Sequence, residues 1–283
     1  MKKTALGIIL FSILFFPLWV AGPSLIELPS SPNHSLISFP LTVMTLNLAH
    51  GRKDGFHQIF QDQQTIQTHL NEVAHVLDRE RPQVVAFQEA DGPSLWSGNF
   101  NHVQYLAQHA KYGYFGQGEH VKGLGLSYGT ALLSLRPLQH PYSFTFFPSL
   151  PLPPKGFVVG SLQSEQGFID IVSVHLDFAR SSVRRRQMET MSHFLKFRNR
   201  SLIIMGDLNC EQQELQPLIE KLGVHPYQPE SRHFNTFPTS TKQKRIDWIL
   251  ISEKLDFLDY QVLKDVLSDH FGVVAKLSVK SNR

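Results

Sequence analysis

The chain has 283 residues, 42% hydrophobic and 18% charged, with a formal net charge of +3, the balance of a globular protein with a sizeable core. Of its 27 basic residues, Lys2 and Lys3 lie in the first 22 positions; without them, 25 basic side chains face 24 acidic ones, a net charge of +1. A protein that coats a polyanion carries more, so only a local basic groove is left open. Cys210 is the sole cysteine, which excludes an intrachain disulfide and leaves the core to stabilise the fold.

Lys2 and Lys3 precede an apolar run from Ala5 to Val20, followed by Ala21 and Gly22, the order of an export signal. A cleaved signal peptide over 1–22 is favoured over an uncleaved membrane anchor, and both over a buried helix, because the run is short for a span and carries Pro17 near its end. Either favoured reading sends the protein out of the cytoplasm, as a periplasmic or secreted domain or one anchored through residues 5–21. The Ser/Pro-rich stretch at 23–35 reads as a linker, leaving one catalytic domain over 36–283.

Within that domain, 42–48 is a short apolar strand and 61–79 places Ile66, Leu70, Val73, Ala74 and Leu77 at helical spacing, stopped by Pro82. A buried strand over 83–87 ends at Gln88 and Glu89, and 100–110 reads as a short helix. Further strands are expected at 129–135, 157–162, 168–176, 202–205, 246–251 and 273–279, with helices at 182–197 and 211–222. The Phe- and Pro-rich segment 141–154 is a loop or edge strand, with packing the commoner role than lipid contact. Apolar strands alternating with helices argue α/β, but there are more strands than one doubly wound sheet needs. Two sheets packed face to face, covered outside by helices, fit better.

Polar residues interrupt or end these strands, which directs the chemistry to one end of the sheets. Asn47 and Glu89 offer oxygen ligands, as does Asp269; with no Cys or paired His at metal spacing, such donors select Mg²⁺, with Mn²⁺ or Ca²⁺ as substitutes. Taken alone, Glu89 is equally a helix cap or surface acid. After the strand at 202–205, Gly206 permits a turn that presents Asp207 and Asn209, suited to orienting water and donating to an oxygen gaining charge. An Asx turn with Asn209 capping the following helix is the plainer alternative. His175 ends a strand beside Asp177. His270 follows Asp269, and Asp247, set among apolar residues, needs a partner that His270 can supply.

In order, TLNLAH, FQEA, YGTALLS, SVHLDF with Arg184 and Gln187, GDLN, NTFP with RIDWIL, and SDHFGV resemble the motifs of the endonuclease/exonuclease/phosphatase superfamily. The resemblance spans Thr42 to about Leu277. It implies a four-layer α/β sandwich of two packed, mainly antiparallel or mixed sheets flanked by helices, and Mg²⁺-dependent hydrolysis of phosphate esters. By similarity, Asn47, Glu89 and Asp269 hold the metal or its waters, and Asp207 and Asn209 orient the nucleophile. His270 with Asp247 serves as base or charge stabiliser, and His175 and Tyr128 donate to the phosphate. The chain departs from the common pattern at Thr130 and at Lys155, which binds phosphate only as a point charge.

The expected function is an exported, monomeric phosphoesterase acting on a lipid head group or another small phosphate ester. A secreted nuclease is less favoured on charge, with Arg180, Arg184, Arg185 and Arg186 as its best support against a solvated helix face. A catalytically silent phospholipid-binding scaffold is the third reading. Specificity is expected in loops at 91–104, 120–127 and 148–155; Trp96 and Phe100 in the first are expected as packed anchors.

Overall fold

The computed structural model describes residues 36–228, 234–239 and 243–280. The segments expected as export signal and linker lie outside the described residues. Among the described residues no helix is long and apolar enough to cross a membrane.

The strands form two six-stranded sheets. The first contains β1 (Leu41–Asn47), β2 (Val84–Asp91), β3 (Tyr114–Gly123), β4 (Leu126–Ser134), β11 (Leu255–Val262) and β12 (Val273–Val279), in the order β11-β12-β1-β2-β4-β3. The second contains β5 (Gln139–Thr145), β6 (Gly156–Ser164), β7 (Gly167–His175), β8 (Ser201–Asp207), β9 (Val224–Pro226) and β10 (Asp247–Ser252), in the order β5-β6-β7-β8-β10-β9. Only β1 with β2 and β7 with β8 pair in parallel, and each of these pairs is joined through a helix, as a parallel crossover requires. The helices are α1 (Gln63–Glu80), α2 (His102–His109), α3 (Ser181–Arg198) and α4 (Gln212–Leu222).

Alternate side chains of the central strands enter different cores. Met44 and Leu46 of β1 pack with Ile66, Leu70 and Leu77 of α1 and Leu106 of α2. Leu41 and Val43 point the other way, against Val158, Ile171, Ile203 and Ile249 of the second sheet. On the far side, Leu202, Ile204, Trp248 and Leu250 pack with Met191 and Leu195 of α3 and Leu215 of α4. Three apolar layers between four structural ones explain why these strands read as continuous apolar runs. Helix entry is capped locally: Asp62 accepts from Thr65 N at 2.8 Å, and Asn101 from Gln104 N at 2.8 Å.

Several expectations need correction. β2 does not end at Glu89 but continues to Asp91 across a bulge between Gln88 and Ala90, where Glu89 has a φ of +48°. The bulge re-aims the carboxylate without ending the strand. β3 and β11 were not expected, since Gly116, Gly118 and the charges of β3, and the acidic residues of β11, hide their alternation. Most of 120–127 belongs to the β3–β4 hairpin rather than to a free loop. Asn209 does not cap α4: Glu211 occupies that position, without a side-chain bond.

Candidate active site

The inter-sheet faces of five strands change from apolar to polar toward one end. In β1 the row runs Leu41, Val43, Thr45, Asn47; in β8 it runs Ile203, Met205, Asp207; in β10, Ile251, Ile249, Asp247. β2 contributes Gln88 and β7 contributes Ser173 and His175 to the same face, with Gln88 Nε2 donating to Ser173 Oγ at 3.0 Å. Register then aligns the ends, with Asp207 opposite both Asp247 and His175. Gly206 makes this possible: its φ is +148°, and a Cβ there would lie 2.0 Å from the Val174 carbonyl oxygen of β7.

Asp207 is the meeting point. Its Oδ2 accepts from Asn47 Nδ2 at 3.1 Å and lies 3.4 Å from His175 Nε2 and 3.8 Å from His270 Nε2. Asn47 Oδ1 accepts from Ala49 N at 2.9 Å, which fixes the orientation of the amide. Burial pushes the Asp207 carboxyl up to about 7, against the opposing pull of His270. His270 Nδ1 donates to Asp247 Oδ2 at 2.9 Å. Although burial favours the neutral ring, Asp247 and Asp207 together raise His270 to about 10, so it is an imidazolium at neutral pH.

His175 differs. Burial, reinforced by Lys155, holds it well below the ordinary histidine value, so it is neutral. Lys155 Nζ has only hydrogens to give and lies 3.3 Å from His175 Nδ1; Nδ1 therefore accepts, and Nε2 carries the proton that faces Asp207. Glu89 is ringed by His50 Nε2 at 3.4 Å, Lys155 Nζ at 3.7 Å and His175 Nε2 at 4.0 Å. Burial would raise its pKa, but His50, Lys155 and the neighbouring histidines outweigh it and hold the carboxyl well below its usual range.

The remaining expected residues sit around this centre. Asn209 folds back: its backbone N donates to Asp207 Oδ1 at 3.0 Å and its Nδ2 to Leu176 O at 3.0 Å. Asp269 is held by Arg52, Nη2 to Oδ2 2.6 Å, and forms no ion pair with the groups around Glu89. Tyr128 is buried beside Glu89, Lys155 and His175, and burial keeps its hydroxyl protonated. Asp177 accepts from Ala179 N and Arg180 N, and its own N donates to Gln187, an arrangement that shapes the loop after β7.

Oxygen donors fit a hard divalent cation. Asn47 is buried, with Oδ1 accepting from Ala49 N, while the Glu89 carboxylate accepts no hydrogen bond within the described residues, which leaves its lone pairs for a cation. The compact His/Asp group among the described residues is instead Asp207, Asp247 and His270, with one atom of each within 4.8 Å of the others. In that group His270 and Asp247 already share a hydrogen bond at 2.9 Å.

Other residues were missed in the sequence. His50 Nδ1 donates to Asp91 Oδ1 at 2.7 Å, behind Glu89, and Trp96 Nε1 donates to Asp91 Oδ2 at 2.9 Å while stacking on Tyr128. The second acid of the segment FQEAD, two positions after Glu89, was the available signal. His120 spans the sheets, meeting Thr130 of β4 at 2.9 Å and Thr145 of β5 at 3.1 Å. A Cβ on Gly156 would lie 2.4 Å from its ring. Phe100 packs into the core, and Trp96 is a half-buried anchor. Of the arginine cluster, Arg184 is not a solvated side chain: it is buried and binds Glu214 at 2.7 Å, while Arg185 and Arg186 are exposed.

Two helix-covered sheets, with acids, amides and imidazoles converging at one end, have the layout of a hydrolase. The family model for the endonuclease/exonuclease/phosphatase family matches residues 44–270, and the chain belongs to that family. Its members are phosphoesterases and nucleases.

Solved structures share the fold at low identity. An endonuclease/exonuclease/phosphatase family protein from Leptotrichia buccalis has 18% identity and a TM-score of 0.67, covering 84% of this chain and 99% of its own. Beta toxin from Staphylococcus aureus has 16% identity and a TM-score of 0.60, covering 83% and 99%. A mannosyl-6-phosphatase from Bacteroides thetaiotaomicron has 19% identity and a TM-score of 0.59, covering 84% and 99%. A search of curated proteins finds no match.

Proposed function

We propose that the chain is an exported, Mg²⁺-dependent phosphoesterase that hydrolyses a phosphodiester or phosphomonoester, in a lipid head group or another small phosphate ester, by in-line attack of water. The observation that carries this reading is the convergence on Asp207 of Asn47, His175 and His270. Asn47, Glu89 and Asp269 would hold a cation that neutralises phosphate charge when bound.

The protein's own groups supply the rest. Asp207, with its pKa lifted toward neutrality, accepts the proton of the attacking water. The His270 imidazolium, fixed by Asp247, stabilises the charge that develops beside it. Neutral His175 donates through Nε2, and Lys155 and the Tyr128 hydroxyl face the same phosphate. The reading also takes the enzyme to be a monomer outside the cytoplasm. A nuclease is disfavoured because Arg184 is spent on Glu214; a silent scaffold would have to leave this set of groups idle.

The test is His270→Ala in the full chain, assayed with Mg²⁺ and with chelator against duplex DNA, RNA, sphingomyelin, phosphoinositides and simple phosphomonoesters. Chelator-sensitive hydrolysis by the parent and a loss on the order of 10²–10³ in the variant are expected. Activity of the variant within about tenfold of the parent overturns the His270 assignment, and no hydrolysis by the parent across the panel favours the scaffold.

A further inference from the structure

The connections that leave the catalytic ends of the strands carry large apolar side chains that stand in solvent. Phe56, 91% exposed, and Phe60 lie between β1 and α1, and Leu95 lies between β2 and α2. Leu124 is at the β3–β4 turn, Phe147, 94% exposed, lies between β5 and β6, and Phe178 lies between β7 and α3. These connections adjoin the strand ends that carry Asn47, Glu89, Tyr128, Lys155 and His175. A single exposed apolar residue needs no explanation. A ring of them around one opening marks a binding surface.

Contacts between the connections hold the ring in place. Leu95 N donates to Gly125 O at 2.8 Å, and Phe56 and Phe60 stack at 6.3 Å. Ser149 Oγ donates to Asp177 Oδ2, and Arg180 Nη2 donates to Leu150 O at 3.3 Å, tying the connection before β6 to the one after β7.

We propose that this ring seats the opening on an electrically neutral phospholipid bilayer, so that the site meets a phosphate ester in a lipid head group. The proposal rests on the phosphoesterase reading and narrows its substrate to lipid. Charge selects the occupant. Of the Lys and Arg side chains on these connections and the β3–β4 hairpin, Arg52 pairs with Asp269, Lys53 with Glu72, Lys122 with Glu119 and Lys155 with Glu89, and Arg180 is spent on carbonyl oxygens, whereas the exposed Arg185 and Arg186 lie beyond them on α3. A nucleic acid or a strongly anionic membrane draws its affinity from unpaired cations. Apolar tips with neutralised basic neighbours suit shallow insertion at a neutral interface.

The experiment uses the full chain with a single fluorophore that brightens and shifts to shorter wavelength on leaving water. It is attached at Phe60→Cys, at Phe147→Cys, or at Glu165→Cys on the β6–β7 turn at the opposite end of the strands. Cys210 is buried and stays unlabelled. With phosphatidylcholine vesicles, the labels at 60 and 147 are expected to shift while the label at 165 stays unchanged. The proposal is overturned by no shift at 60 and 147, by an equal shift at 165, or by a shift that needs anionic lipid. Emission already shifted before vesicles are added also overturns it, because a second copy or another segment of the chain then covers the ring.

A second measurement keeps docking and catalysis apart. The double variant Phe56→Ser, Phe147→Ser is expected to hydrolyse a water-soluble phosphate ester like the parent, yet to lose about tenfold or more on the same ester presented in vesicles. Equal loss on both, or on neither, overturns the docking surface. Label shifts with no hydrolysis of any ester by the parent would instead remove the phosphoesterase reading.

Discussion

His270 Nδ1 lies 2.9 Å from Asp247 Oδ2, and both side chains are buried with Asp207 on the other side of the ring. Two carboxylates around one imidazole hold it charged where burial alone would discharge it.

Asp247→Asn keeps the shape and removes that charge. We expect turnover to fall about 10²-fold or more, consistent with the size of acid–base contributions, and the His270 titration to move down from about 10. Steady-state kinetics and the histidine ring resonances check this; a fall of less than tenfold together with an unmoved resonance would show that Asp247 does not control His270.

Glu89→Gln leaves a neutral group of the same size where His50, Lys155 and His175 converge. The Mg²⁺ concentration for half-maximal activity should rise about tenfold or more, as removing even outer partners of metal ligands typically does. Calorimetric titration with Mg²⁺ provides an independent readout, and an unchanged binding constant would move the cation away from Glu89.

His120, together with His102 and His175, makes the domain acid-sensitive. Burial first, and then Lys155, push His120 down to about 3, below its unfolded value of 6.5. The unfolded chain therefore takes up a proton below pH 6.5 that the folded chain refuses, so stability present above that pH is lost as pH falls toward 3. His120→Gln should reduce the loss between pH 7 and 5 by about 2 kcal/mol, compared by urea unfolding at each pH. An identical slope in parent and variant would mean that His120 titrates normally.

Gly206→Ala should destabilise the fold by about 1–3 kcal/mol or more, since the added Cβ meets the Val174 carbonyl oxygen at 2.0 Å. Activity should fall with it, because the clash separates His175 from Asp207. Urea midpoints and kinetics measured together check this, and a stable, fully active variant would show that β7 and β8 have slack at this point.

The sequence by itself determined the layers and much of the site. Apolar runs such as LIIM, buried on both faces, require cover on both sides, and helical spacing in 61–79 supplies it. The alternation of side chains put Asn47 on the face of Leu41 and Val43, and Asp207 on that of Ile203 and Met205, so local order already aimed them between the sheets. Tertiary structure decided which polar ends meet. Asn47 and Asp207 are 160 residues apart, and Arg52 reaches Asp269 over a separation of 217. The bulge at Glu89, the His50–Asp91 pair and the His120 bridge depend on strand register and on the spacing of the two sheets. β3 and β11 owe their existence to neighbouring strands that satisfy their backbone groups, so they leave no strong periodic signature in their own residues.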